Sequence, residues 1–210
     1  MPLGFHDEQN FPQFTSLRDN WTKIRDETDE LDLPLTPIHR VGKTHKEVFK
    51  EIGDYVQGGG EYGWLKGWGL NGINEDWIQL VLVAESNPIR FLNGKMAYTL
   101  SLLNRIPGVK VAALVRLKSN TFLPTHCHKE LAAKGILQLH LTLDAASEHN
   151  YAYLNVEGEF RQHVPGQTLI FDGSLAHFAI NASQKDRTIL YVEFQRDKGE
   201  SGVNVEIGKP

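Results

Sequence analysis

Gly135-Ile136-Leu137-Gln138-Leu139-His140-Leu141-Thr142-Leu143-Asp144 reads as one β-strand with two different faces. Leu137, Leu139, Leu141 and Leu143 alternate with Ile136, Gln138, His140 and Thr142, and side chains alternate across a strand. The leucine face needs cover from another layer. The opposite face carries an amide, an imidazole and a hydroxyl. Facing solvent, such groups would be ordinary. Lining a barrel, they need partners, because a buried polar group left unpaired costs about 1–3 kcal/mol. A ligand or a metal would supply them.

Strand patterns flank this segment on both sides. Residues 109–118, 151–156, 160–164, 167–171, 177–182 and 188–195 are short apolar or alternating runs separated by turn residues. Many short strands at close spacing suggest an antiparallel barrel or jelly roll. The first half is richer in helix signals. Leu17, Trp21, Ile24, Thr28 and Leu31 recur at helical spacing, with Thr15 or Ser16 as a candidate cap and Pro34 and Pro37 as terminators. Thr44-His45-Lys46-Glu47 is a capping-box pattern ahead of Val48, Ile52 and Tyr55, and Gly58-Gly59-Gly60 stops that helix. A Trp- and Gly-rich stretch follows, and residues 77–83 form a strand candidate. A third helix is expected over 95–104, with Met96, Leu100 and Leu103 on one face. We therefore expect one domain over 1–210. Residues 1–108 form a helix-rich cover with a leading strand, 109–197 the barrel core, and 198–210 a loose tail.

Composition excludes several classes. The 210 residues are 40% hydrophobic and 23% charged, with a formal net charge of −4. A mildly acidic chain without a basic run is poorly suited to a nucleic-acid backbone. No stretch approaches the roughly 20 apolar residues of a membrane span. The lone Cys127 cannot form an intrachain disulfide, and the opening residues lack a signal-peptide pattern, so the expected address is cytoplasmic.

Candidate chemistry is concentrated in the second half. His126 follows Leu123-Pro124-Thr125, and His177 ends Phe171-Asp172-Gly173-Ser174-Leu175-Ala176-His177. They are far apart in sequence, but strands returning in a Greek-key path could join them. His128 shares a face with His126 on a regular strand, where it would be a third metal ligand. On a loop at the mouth it would not touch the metal. On a regular strand Cys127 would point to the other face. Arg187 opens an apolar strand, either as an edge residue in solvent or as a bidentate carboxylate anchor. His140 and Gln138 could orient the other end of such a ligand. Asp172 reads as a turn residue. His6, His39, His45, His149 and His163 lack supporting context and read as surface residues.

Taken in order, these motifs resemble the aspartyl/asparaginyl β-hydroxylase family of iron(II)- and 2-oxoglutarate-dependent dioxygenases. Leu17-Arg18-Asp19-Asn20-Trp21 looks like the family's opening helix. Leu102-Leu103-Asn104-Arg105-Ile106-Pro107-Gly108-Val109 resembles the segment before its first barrel strand. The resemblance implies a mainly β fold, a double-stranded β-helix of jelly-roll or cupin-like form, with N-terminal helices packed outside the barrel. It implies that His126 and His177 bind Fe(II), that Arg187 grips 2-oxoglutarate, and that His140 assists. It implies molecular oxygen as co-reactant and hydroxylation of an unactivated carbon. We expect a small-molecule or amino-acid-type substrate, free, carrier-bound or peptidyl and Asp/Asn-like, hydroxylated at its β-carbon, and neither a nucleic-acid nor a membrane partner.

Two positions depart from the family pattern. His128 stands where related members have glycine, which keeps a three-histidine site open. Gln138 stands where the family often has a substrate-contacting arginine, and an amide cannot neutralise an anion. Two other readings stay open: a cupin-like three-histidine dioxygenase or isomerase without 2-oxoglutarate, and a non-catalytic β-sandwich binding module.

Overall fold

The computed structural model describes residues 4–69 and 72–196, so the tail expected over 198–210 lies outside the described residues. In chain order the elements are β1 (Phe5–His6), α1 (Thr15–Asp19), α2 (Trp21–Asp29), β2 (Leu35–His39), α3 (His45–Gln57), β3 (Trp64–Gly69), β4 (Gly72–Ala84) and β5 (Asn87–Pro88). Then follow α4 (Ala97–Leu103), β6 (Val109–Leu117), β7 (Thr121–His126), α5 (Lys129–Lys134), β8 (Ile136–Asp144) and β9 (Ala152–Val156). The last are β10 (Glu159–Gln162), β11 (Thr168–Phe171), β12 (His177–Asn181) and β13 (Arg187–Gln195).

From β6 onward the chain passes back and forth between two sheets. The larger sheet has the order β1-β11-β8-β13-β6-β4-β3-β2, with β5 on β4, and the smaller has the order β10-β9-β12-β7. Strands β6, β8, β11 and β13 fall in the large sheet, and β7, β9, β10 and β12 in the small one. The β6–β13 pairings are antiparallel. This is a double-stranded β-helix, as expected. Residues before 109 also extend the large sheet, through β1 to β5.

Alternation along β8 is realised in three dimensions. Its leucines lie in a core cluster with Phe11, Phe14, Leu17 and Ile24 from the N-terminal segment and with Leu102 and Leu103 of α4. Helix α2 packs directly over β8, outside the barrel. A second cluster joins Trp77, Leu117, Leu154, Val156, Phe171 and Ala179 between the two sheets. The fold is thus two apolar layers with the large sheet between them.

The helices depart in detail from their sequence pattern. The first expected helix is two short ones, broken at Asn20 (φ −112°, ψ 17°). The Asn20 side chain donates to Ser16 O at 2.8 Å and accepts from Tyr98 Oη at 2.6 Å. A short polar side chain that bonds backbone competes with the helix ladder. Thr15 lies inside α1, and no side chain caps that helix. By contrast, α3 has the full capping box: Glu47 N donates to Thr44 Oγ1 at 3.3 Å and Thr44 N to Glu47 Oε2 at 2.7 Å. Strands β2, β3 and β7 and helix α5 had not been expected from pattern. β2 contains Pro37, which an edge strand tolerates because one side of it needs no ladder bond. Among the described residues, no helix is long and apolar enough to cross a membrane.

Leu141, fully buried under α2, supports this layer arrangement. Leu141→Ala is expected to cost about 2–5 kcal/mol. Leu35→Ala, at a residue 45% exposed, should change stability by less than about 0.5 kcal/mol. Urea midpoints at constant slope read both.

Candidate metal and anion site

The inner faces of the two sheets enclose a cavity of about 1010 Å³. Strand pairing places the two distant imidazoles together. His126 ends β7, His177 begins β12, and the two are direct partners in the antiparallel register. Their ring centroids are 4.2 Å apart. His128 lies beyond the end of β7, where the chain turns into α5. Its backbone N–H donates to Gly173 O at 2.8 Å, which ties that turn to the β11–β12 loop. One nitrogen from each of His126, His128 and His177 lies within 4.8 Å of the others. The third imidazole therefore joins the cluster from a turn, not from a continued strand. Cys127 is exposed.

Backbone carbonyls orient two of these rings. His126 Nδ1 donates to Pro124 O at 2.7 Å, and His177 Nδ1 donates to Leu175 O at 2.8 Å. A carbonyl only accepts, so the proton sits on Nδ1 and the Nε2 lone pair is left for a metal. His128 Nδ1 is 3.5 Å from Glu130. Burial lowers the proton affinity of all three rings. His177 is pushed down to about 4, first by burial and then by the adjacent His126. Neutral, converging imidazoles fit a divalent first-row metal such as iron.

Arg187 occupies the cavity wall at the start of β13. It is 3% exposed, and its Nε and Nη1 meet no acceptor. Burial pushes its pKa down to about 10, so it remains charged at neutral pH. A buried, unpaired guanidinium is costly unless an anion completes it. Its fork geometry suits a carboxylate.

His140 is buried on β8, as its inward position predicted. Its ring stacks on His163 with an interplanar angle of 20°, and its Nδ1 lies 3.2 Å from His163 Nε2. One of these two nitrogens must carry the proton. If it is His163 Nε2, His140 keeps an N–H at its other nitrogen, as anion binding requires. His163 is wholly buried, contrary to its reading as a surface residue. It follows β10, and its backbone N–H donates to Ala152 O at 2.8 Å, so the small sheet carries it inward. Burial and nearby Arg187 hold both rings well below the usual imidazole range. His6 and His39 are half-buried, His149 is exposed, and the side chain of His45 lies outside the description.

Gln138 is not among the residues lining the cavity. Its Nε2 donates to Tyr191 Oη at 2.6 Å, and Tyr191 Oη donates to Glu193 Oε1 at 2.6 Å. Gly173 sits against the amide, where a Cβ would come within 2.2 Å of Gln138 Oε1. Gln138 therefore supports Tyr191 from behind instead of facing the space a cosubstrate would occupy. Asp172 makes the expected turn, accepting from Ser174 N at 2.9 Å and Ser174 Oγ at 2.6 Å. Trp68, unassigned in the sequence, stands edge-on to His126 with centroids 4.8 Å apart. Tyr191 and Glu193 follow Arg187 at strand period, and that alternation could have flagged both. Nothing local marks His163 or Arg40, which also lines the cavity.

Glu193 gives a pH signature. Burial is the largest influence on its carboxyl, and the net shift is upward. The folded state then holds the proton more tightly than the unfolded chain, so this residue's destabilising effect is absent below the ordinary glutamate range and fully present above the raised value. Glu193→Gln should raise the melting temperature at pH 8 and leave it nearly unchanged at pH 4. Equal shifts at both pH values would remove burial of the charge as the cause.

Comparison with known proteins identifies the family. Residues 18–197 match the family described as Aspartyl/Asparaginyl beta-hydroxylase. An ornithine lipid ester-linked acyl 2-hydroxylase from Rhizobium tropici is 29% identical over 96 residues, covering 46% of this chain and 33% of that protein. The match thus spans about a third of that relative's length. Among solved structures, a 2OG-Fe(II) oxygenase family oxidoreductase from Burkholderia pseudomallei overlaps 57% of this chain and 68% of its own, at 12% identity and a TM-score of 0.41. KdgF from Halomonas sp. overlaps 58% and 82%, at 15% identity and a TM-score of 0.36. With the family match running from α1 to the end of the barrel, the chain belongs to the aspartyl/asparaginyl β-hydroxylase family.

Proposed function

We propose that this protein is an Fe(II)- and 2-oxoglutarate-dependent hydroxylase acting at an unactivated carbon of an amino-acid-type substrate. The observation that carries the reading is Arg187, a charged group sealed in a cavity wall with two nitrogens lacking acceptors, in the same cavity as three neutral imidazoles. A dicarboxylate that reaches a metal at one end and a guanidinium at the other matches that pairing. His126 and His177 would hold the iron, with His128 as the third ligand. Arg187 would take the distal carboxylate of 2-oxoglutarate, and His140, oriented by His163, would donate to the cosubstrate. Bound iron and cosubstrate would supply oxygen activation, with 2-oxoglutarate leaving as succinate and carbon dioxide.

The chain's own contribution is placement and exclusion of water. The Nδ1–carbonyl bonds of His126 and His177 fix their rings before anything binds. Trp68, Tyr191 and the apolar wall restrict what approaches the cluster. The Rhizobium relative is named as a hydroxylase of an ester-linked acyl chain, which supports the general step of adding a hydroxyl to carbon. A cytoplasmic address fits the single, exposed cysteine.

His128 favours one second reading, a three-histidine metal enzyme that does not use 2-oxoglutarate. Arg187 separates the two. Arg187→Met should fold at least as stably as the parent, because an unpaired buried charge is removed. It should also weaken 2-oxoglutarate binding to the metal-loaded protein by about 100-fold or more, within the 2–5 kcal/mol typical of a buried charge pair. Calorimetric titration reads this, and unchanged affinity would refute the assigned role. His177→Ala should lose stoichiometric iron by metal analysis. If His128→Ala keeps stoichiometric iron while His177→Ala loses it, His128 is not required as a ligand.

A further inference from the structure

The two sheets differ on their outer faces. Helices α1, α2 and α4 supply the apolar cover of the large sheet. On the small sheet, alternation turns Leu154, His177 and Ala179 inward and their neighbours outward. Phe122 of β7 stands opposite Ile180 of β12, Ile180 opposite Tyr153 of β9, and Tyr153 opposite Gln162 of β10. These four form one row across the sheet. In the next row Phe160 and Phe178 flank Asn155. Their ring centroids are 5.7 Å apart, so the rings lean together over Asn155 and leave it buried.

This face is apolar and open. Phe122 and Phe160 are both 57% exposed, Tyr151, two places before Tyr153, is 49% exposed, and Tyr153, Phe178 and Ile180 are half-buried. Three of the five exposed large hydrophobic residues among those described thus fall on one side of one sheet. Scattered exposed apolar residues are ordinary, whereas a contiguous patch marks an interaction surface. Neither row contains a charged side chain. An uncharged face has little to offer a nucleic-acid backbone or anionic headgroups. It does suit a two-fold axis, where each residue meets its own counterpart and a charge would meet its like. The area also fits. At roughly 150–250 Å² per aromatic side chain, the patch exposes about 500 Å². Two copies would bury about 1,000 Å² together, the lower end for a specific interface.

We propose that a second copy of this chain packs on this face, small sheet against small sheet about a two-fold axis, with Phe122 and Phe160 as anchors. Facing sheets pack about 10 Å apart through interdigitating side chains, and the two aromatic rows supply those side chains. The dimer is a reversible one, because the area is too small for an obligate interface. The cavity lies on the inner side of the small sheet, away from the contact.

Sedimentation velocity of the full chain tests this over about 1–300 μM, a range that brackets the micromolar dissociation expected of a small interface. The dimer fraction should rise with concentration. Phe160→Lys and Phe122→Lys should each weaken association by about 30-fold or more, the loss typical of a central aromatic anchor. Leu35→Lys, at an exposed residue of the large sheet's edge strand, should leave association unchanged. Circular dichroism checks that all three variants fold. The proposal is overturned if the chain stays monomeric throughout, if the dimer survives both aromatic substitutions, or if Leu35→Lys disrupts it equally. A monomer that instead sediments with phosphatidylcholine vesicles, and loses this with Phe160→Lys, would give the face to a lipid surface and likewise overturn the proposal.

Discussion

Arg187 is held 3% exposed inside the β-helix, and two of its nitrogens meet no acceptor. A fixed positive charge without a counterion works against folding, and the chain retains it in the cavity wall between the two sheets. The neighbouring groups follow the same electrostatics. His140 and His163 stay neutral because burial and the guanidinium both disfavour a second positive charge. Neutral imidazoles can donate to a carboxylate without adding to the repulsion. The cavity thus brings together a buried guanidinium and a cluster of neutral imidazoles.

Strand β8 connects that chemistry to stability. Its outward leucines lock the large sheet to α2 and α4, so the strand has little freedom to slip. A shift of one residue would turn the leucines into the cavity and His140 out of it. Packing on the outside therefore holds the polar register on the inside. The same division recurs on β13. Leu190, Val192 and Phe194 belong to the outer core, while Arg187, Tyr191 and Glu193 line the cavity.

Departures from the sequence reading have local causes. The first helix breaks where Asn20 bonds backbone and Tyr98 together. Strands β2 and β3 escaped notice because prolines, tryptophans and glycines obscure their alternation, and the pairing of β3 with β4 and of β2 with β3 is what makes them strands. Gln138 looked like a ligand-facing residue because it alternates with the leucines. It does face inward, but Tyr191 stands in front of it and Gly173 presses behind. Facing the interior and reaching the ligand are different properties, and only packing separates them.

The sequence by itself determined the alternation of β8 and β13, the capping box of α3, the jelly-roll run of short strands, and the order in which His126, His140, His177 and Arg187 occur. These are properties of neighbours along the chain, set by periodicity and side-chain type. The tertiary structure alone decided that His126 and His177 are register partners, that His128 reaches them from a turn, that His163 backs His140, and that Glu193 and Arg40 share one cavity. Those convergences depend on how strands cross between the two sheets. Spacing in sequence carries no record of that path, because elements far apart along the chain are brought together by pairing and burial rather than by local preference.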